Sequence, residues 1–234
     1  MLKYEQVAKL IAAFIKKEKL GQGDKLPSID QLTAQFEVSK TTIIKALEVL
    51  EIKGRIYQVR GSGIFVRQSQ RPGFINLTGA EGFANDLSGF DTKAEVLSLE
   101  TLKANEKLQD ILKLSAEEDV YCLRRLRLIQ GLPYCLEESY YSKRHVLFLN
   151  EEIARASVFT YLQEDLKLKF GFADIYFRIS NLSKDQAKLL KQANNDATLL
   201  TESIYYLHNG EPFNYSVLRY HKDQAQFFLP SLRY

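Results

Sequence analysis

The chain of 234 residues is long enough for one large or two small domains, and its 45% hydrophobic content can bury a core. No apolar run approaches the ~18 residues that span a bilayer, and MLKYEQVAKL lacks the apolar stretch of a secretion signal, so no membrane partner and a cytoplasmic location are expected. Cys122 and Cys135 make no disulfide framework, and His145, His208 and His221 form no Cys/His cluster, so neither a metal site nor a cofactor is expected.

The net charge of +3 divides unevenly along the chain. Residues 1–71 carry 13 Lys and Arg against 7 Asp and Glu, a net +6, whereas the remainder carries 19 against 22, a net −3. Such asymmetry suits a basic nucleic-acid module joined to a neutral or acidic one, although scattered surface charge gives the same count.

Val7, Leu10, Ile11, Phe14 and Ile15 follow helical spacing and predict an amphipathic helix over Tyr4 to Lys19. LGQGDKLPS breaks it. Ser28 then caps a second helix, with Gln31 completing a capping box. Ser39 caps a third, whose core face is Ile43, Ala46, Leu47 and Leu50 and whose outer face is Lys40, Thr41, Ile44, Lys45 and Glu48. Gly54 ends it, and RIYQVRGSGIFV reads as two strands around a Gly-Ser-Gly turn.

Three helices and a hairpin form a winged helix-turn-helix pattern. Its third helix enters the major groove with its N-terminal residues at base edges. Lys40 and Lys45 supply charge, the Thr41 and Thr42 hydroxyls suit phosphate or base, and Arg60 beside Gly61 and Gly63 allows close approach at the hairpin tip. A winged helix used for protein contacts has the same topology. Ile44 suits either a thymine methyl or a neighbouring helix.

RQSQRPGF reads as a linker, and strands with short helices follow it. AEVLSLETL, two hairpins (VYCLRRLRLI-QG-LPYCLEESYY and LLTESIYYLHNGEPFNYSVLRY) and DLKLKFGFADIYFRIS supply strand, while Ser183 with Gln186 caps a helix through Ala193. The hairpins share Gly-x-Pro-aromatic at Gly131–Tyr134 and Gly210–Phe213. The fold class is α+β with a largely antiparallel sheet. Period-two alternation puts Arg125 and Arg127 on one face, suited to a phosphate or carboxylate, or equally to solvent. A two-residue turn at Gln130-Gly131 pairs Arg124 with Glu137 and sets Glu137 opposite the arginine face. A bulge near Pro133 brings it to the same side. The simple register also keeps Cys122 and Cys135 out of line.

The motifs GDKLPS, LTAQFEVSKTT, AL..LE..G and GSGIFV, in that order over about 65 residues, resemble the GntR family of bacterial transcription regulators. The resemblance implies a DNA-binding set of Ser28, Lys40, Thr41, Thr42, Ile44, Lys45, Arg60, Gly61, Ser62 and Gly63. It also implies double-stranded operator DNA as partner. Asp30, Lys40 and Ile44 stand where the family often has Arg. An ammonium or alkyl group does not read guanine bidentately, so the usual operator is not implied.

From about Gly73 onward, RRLRLIQGLPYCLEESYY, SVFTYL and NGEPFNYSVLRYHKDQAQFF resemble the UTRA effector-binding domain of the HutC subfamily, with a fold similar to chorismate lyase. That resemblance implies an effector set of Phe83, Arg125, Arg127, Glu137, Ser157, Phe159, Asn214 and Tyr220 for a small anion such as a sugar phosphate. Gly82, Ala84, Phe159 and Asn214 depart from the phosphosugar pattern. The expected organisation is a winged helix-turn-helix domain at 1–68, a linker at 69–76 and an effector-binding domain at 77–234. The expected function is a homodimeric, metabolite-responsive repressor. An enzyme is the second reading, against which stands the lack of any Ser/His/Asp, Cys/His or metal constellation.

Overall fold

A computed structural model describes residues 3–67, 74–76 and 90–231. Most of the expected linker (69–73) and Gly82, Phe83 and Ala84 lie outside the described residues. The chain divides into two compact units, one of residues 1–79 with 227–234 and one of residues 80–226.

In the first unit, α1 (Lys3–Lys17), α2 (Ile29–Phe36) and α3 (Lys40–Ile52) precede a hairpin of β1 (Ile56–Val59) and β2 (Gly63–Val66). The helix starts follow the sequence. Ser28 and Gln31 make the full reciprocal capping box, and the Ser39 side chain accepts from the Thr42 N–H. Ile43, Ala46, Leu47 and Leu50 are all buried and meet Ile11, Leu32, Ile56 and Ile64 in one core.

Phe74–Asn76, at the end of the expected linker, form β3, which pairs with β10 (Gln226–Phe228). Residues from Phe227 onward, expected within the C-terminal domain, therefore cluster with the first unit. The physical reason is twofold: the β10 main chain finds its ladder in β3, and Pro230 seats on the turn that follows α3. Gly54 there has φ +66°, and a Cβ on it would lie 2.6 Å from Pro230 Cβ. Asn76 Nδ2 donates to the Lys53 carbonyl beside it at 3.1 Å.

The second unit is built on a six-stranded antiparallel sheet of order β4-β5-β6-β9-β8-β7. The strands are β4 (Thr92–Lys103), β5 (Asp119–Ile129), β6 (Leu132–Ser142), β7 (Phe170–Asn181), β8 (Ala197–Leu207) and β9 (Pro212–Tyr220). The helices are α4 (Glu106–Leu112), α5 (Glu151–Arg155), α6 (Val158–Glu164) and α7 (Lys184–Leu190). Helix α7 is shorter than its sequence pattern because Lys191 turns left-handed at φ 55° and closes it.

Gln130 and Gly131 both have positive φ, the geometry of a tight hairpin turn. The register then slips. Leu128 faces Pro133 but Arg127 faces Cys135, so Tyr134 is the extra residue of a bulge and Arg125 faces Glu137 directly. Of the two registers open in the sequence, the chain takes the bulged one. Leu123, Tyr141 and Phe213 pack under α5 and α6, while Leu126 and Leu136 pack under α7.

Gly54 and Gly61 give a paired test of the first unit. Both have positive φ, but a Cβ on Gly61 meets nothing within 4 Å. Gly61→Ala is expected to cost about 1 kcal/mol of backbone strain. Gly54→Ala should cost measurably more, read by urea denaturation, because Pro230 must also move.

Candidate functional site

Two sets of residues carry the chemistry expected of the chain. On the first unit, Lys40, Thr41, Lys45 and Ile44 are exposed on α3, Ile44 at 38%. Lys40 Nζ lies 3.1 Å from Asp30 Oδ1 on α2, an exposed pair with little energy of its own. Thr42 Oγ1 lies 2.8 Å from Ser39 Oγ. Lys45 Nζ sits 6.0 Å from the centre of the Tyr4 ring. Ser28 serves its cap.

At the hairpin tip, Gly61 and Gly63 have φ +78° and +128°, and the Ser62 N–H closes the turn on the Val59 carbonyl at 2.9 Å. Lys25 was not singled out in the sequence, yet its Cε would sit 2.6 Å from a Cβ on Gly63, and its Nζ lies 5.9 Å from the Phe65 ring centre. The Lys25 backbone bridges to Phe65, which places this cation on the wing. Its position two residues before Pro27 in GDKLPS was the only signal.

On the second unit, a cavity of about 280 Å³ lies over the sheet beneath the start of α6. Arg125, Arg127, Glu137, Ser157 and Phe159 all line it, as the sequence reading grouped them. Arg125 is not on a solvated face. It is 1% exposed. Its Nη2 donates to Glu137 Oε1 at 2.7 Å, and its Nη1 donates to the carbonyls of Ala154 at 2.7 Å and Ala156 at 3.4 Å. Those carbonyls end α5, so a strand arginine caps a helix C-terminus. Arg127 Nε donates to Glu137 Oε2 at 2.6 Å. One carboxylate therefore bridges both guanidiniums.

A buried polar chain runs on from Glu137. Ser139 Oγ donates to Glu137 Oε1 at 2.8 Å and lies 2.8 Å from Ser216 Oγ, which donates to Asn214 Oδ1 at 2.8 Å. Asn214 Nδ2 ends the chain on the Tyr140 carbonyl at 3.0 Å. Asn214 is fully buried and outside the cavity lining. Tyr220 is also buried outside the lining, edge-on to Tyr134 at 6.1 Å between centroids, because the bulge turns Tyr134 into the cavity. Phe83 lies outside the described residues.

Lys93, Arg155 and Tyr205 also line the cavity and were missed. They come from β4, the end of α5 and β8, and their meeting depends on strand order. Phe159 packs edge-on against Tyr205, 4.8 Å between centroids, and burial pushes the Tyr205 phenol up to about 12.

Burial by itself would raise the Glu137 carboxyl. Arg125 and Arg127 outweigh it and hold the group well below the usual carboxylate range. A folded-state pKa below the unfolded one means that this group's stabilisation is fully present above the ordinary glutamate value of 4.5 and lost as pH falls toward the folded value. Glu137→Gln should therefore cost about 3–5 kcal/mol at neutral pH, because it leaves guanidinium charge buried without its counterion. The gap from the unsubstituted protein should narrow below pH 4.5, as followed by denaturation across a pH series.

Residues 3–66 match the family described as bacterial regulatory proteins, gntR family, and residues 87–226 match the UTRA domain. The HTH-type transcriptional regulator YydK of Bacillus subtilis is 45% identical over 97% of this chain and 96% of its own. The crystal structure of YydK superposes with a TM-score of 0.85 over 99% of this chain and 100% of that one. The regulator TreR of B. subtilis is 27% identical over 96% of this chain and 95% of its own. The mannosyl-D-glycerate transport/metabolism system repressor MngR of Escherichia coli is 26% identical over 98% and 96%. With a gntR-type DNA-binding head, an effector-binding domain on a large antiparallel sheet and these relatives, the chain belongs to the UTRA-bearing GntR family of transcriptional regulators and is not an enzyme.

Proposed function

We propose that the protein is a homodimeric cytoplasmic repressor that releases its operator when a small anion enters the cavity of the second unit. The observation that carries the anion is the charge of the lining. Lys93, Arg125, Arg127 and Arg155 line the cavity and Glu137 is the carboxylate among them, while Lys93 and Arg155 also pair with Glu95 and Glu151 outside the lining. Such a cleft attracts a phosphate or carboxylate and repels a cation. The relative named for a mannosyl-D-glycerate system is consistent with this reading, since glycerate is a carboxylate. The Phe159 and Tyr205 rings give the same cavity an apolar wall for a sugar face.

The two arginines divide the work. Arg127, whose side chain is 25% exposed against 2% for Arg125, is the one that meets the effector. Arg125 holds Glu137 and the α5 terminus in place. Ser157 adds a hydroxyl at the cavity. Asn214 and Tyr220 act through packing, and Phe83 belongs to the same proposed set. Residues 1–68 carry operator binding, through Lys40, Thr41, Thr42, Ile44, Lys45 and the wing from Arg60 to Gly63. Residues 77–234 carry the response, with 69–76 between them. The effector shifts the protein toward a state whose paired heads no longer match the half-site spacing.

Thermal-shift screening with sugar phosphates and other small anions supplies the ligand for the first test. Arg127→Ala is then expected to weaken effector binding by tens-fold or more, on the order of the loss when one partner of a charge-assisted pair is removed. Operator affinity should stay near that of the unsubstituted protein. Isothermal titration reads the first quantity and a gel shift the second. Undiminished effector binding would remove the arginine from the site.

Lys45→Ala tests the head. Operator affinity should fall, and the slope of its logarithm against log salt should decrease by about one ion. An unchanged slope would take Lys45 out of the DNA interface.

A further inference from the structure

The order of the six-stranded sheet leaves two edges, β4 and β7. Edge strands expose unpaired main-chain N–H and C=O groups and are normally blunted by lysine, proline or a bulge. β4 follows that rule, with Lys93 and Lys103 near its ends and a bulge between Val96 and Ser98. β7 is different. Its bulge lies at its start, between Phe170 and Ala173, and the rest of the strand, ADIYFRISN, contains neither lysine nor proline. Among the described residues β8 is its one hydrogen-bonded neighbour.

Besides the exposed Asp174 and Arg178, β7 presents large apolar side chains to solvent. Tyr176, Phe177 and Ile179 are 59%, 45% and 72% exposed. Phe172, also exposed, stacks on Tyr206 at 4.5 Å and extends the patch onto β8. Large apolar groups on an unpaired edge mark an interaction surface or an aggregation hazard.

The charges on β7 select the occupant. Asp174 and Arg178 lie two residues to either side of Tyr176, so the period-two pleat puts all three on one face. In an antiparallel pairing of two identical strands centred on Tyr176, residue 174 of each copy stands opposite residue 178 of the other. Both cross-strand pairs are then acid against base, Tyr176 meets itself, and Ile175 meets Phe177. Centring the strands one residue away removes both charge matches. Arg178 Nη2 already holds Glu202 Oε1 on β8 at 2.7 Å, so its guanidinium is oriented by its own chain.

We propose that β7 joins two copies of this chain, edge to edge and antiparallel about a two-fold axis at Tyr176, merging their sheets into one. This inference rests on the homodimer reading and names its surface. The main-chain ladder and the aromatic and branched side chains give the affinity. The Asp174–Arg178 pairs give the register, since exposed ion pairs add little energy but like charges held opposite are costly.

Two charge-reversed full-length chains, Asp174→Arg and Arg178→Asp, provide the test. Alone, each sets like charges opposite in both pairs. Each is expected to dimerise at least about tenfold more weakly in sedimentation equilibrium, with far-ultraviolet circular dichroism unchanged. Mixed in equal amounts, they face opposite charges in both pairs, and the dimer should return. Full-strength dimers of either variant alone would overturn the β7 surface, and so would a mixture that stays weak. An unsubstituted protein that sediments as a monomer at micromolar concentration would overturn the homodimer reading itself.

Discussion

The second unit is organised by one carboxylate held between two guanidiniums. Removing a carboxylate and an arginine from water costs several kcal/mol for each ion, and their attraction repays this only when the geometry is good and the remaining donors are occupied. Here the bulge at Tyr134 aligns Glu137 with Arg125, two of the three bonds to the carboxylate come from arginines, and Ser139 supplies the third. Arg125 Nη1 is satisfied by the carbonyls at the end of α5, while its buried Nε has no hydrogen-bond partner among the described residues. The start of α6, with Ser157 and Phe159, follows directly from that junction. A sheet, a helix end and a cavity wall thus depend on the same ions. An effector that competes for Arg127 would change the balance of charge around Glu137 as well as its own contacts.

Much of this was legible in the chain because local rules agreed with the fold. The caps at Ser28, Ser39 and Ser183, the buried face of α3 and the two hairpins all follow from residues a few positions apart. The side of the sheet taken by Glu137 was not legible, and burial explains why. β6 is buried on both faces along most of its length, so its sequence lacks the apolar–polar alternation that pins a register. Tyr134 and Cys135 suit either register equally well. Asn214 and Tyr220 illustrate a related limit. Alternation and motif place them near the arginines along the sheet, but cavity access depends on what covers each strand. Lys93, Arg155 and Tyr205 reach the cavity from three elements distant in sequence, which no short motif records.

The first unit is the simpler case, since three capped helices and a short hairpin share one core. Its departures from the family lie at the surface. Asp30 and Lys40, both at positions where the family resemblance leads one to expect arginine, hold each other at 3.1 Å. The pair keeps net charge low at the N-terminal ends of α2 and α3, and Lys25 adds a cation on the wing.

The pairing of β3 with β10 bears on how such proteins can be recombined. Because residues 227–231 belong with the N-terminal unit, the chain passes between the two units twice. The second unit is therefore a segment joined to the first at both of its own ends, and within the first unit Pro230 closes against Gly54. Exchange of heads between regulators, by recombination or by design, would have to carry the last residues of the chain along with the first. A graft cut only after the wing would leave one strand without its partner and the turn after α3 uncovered.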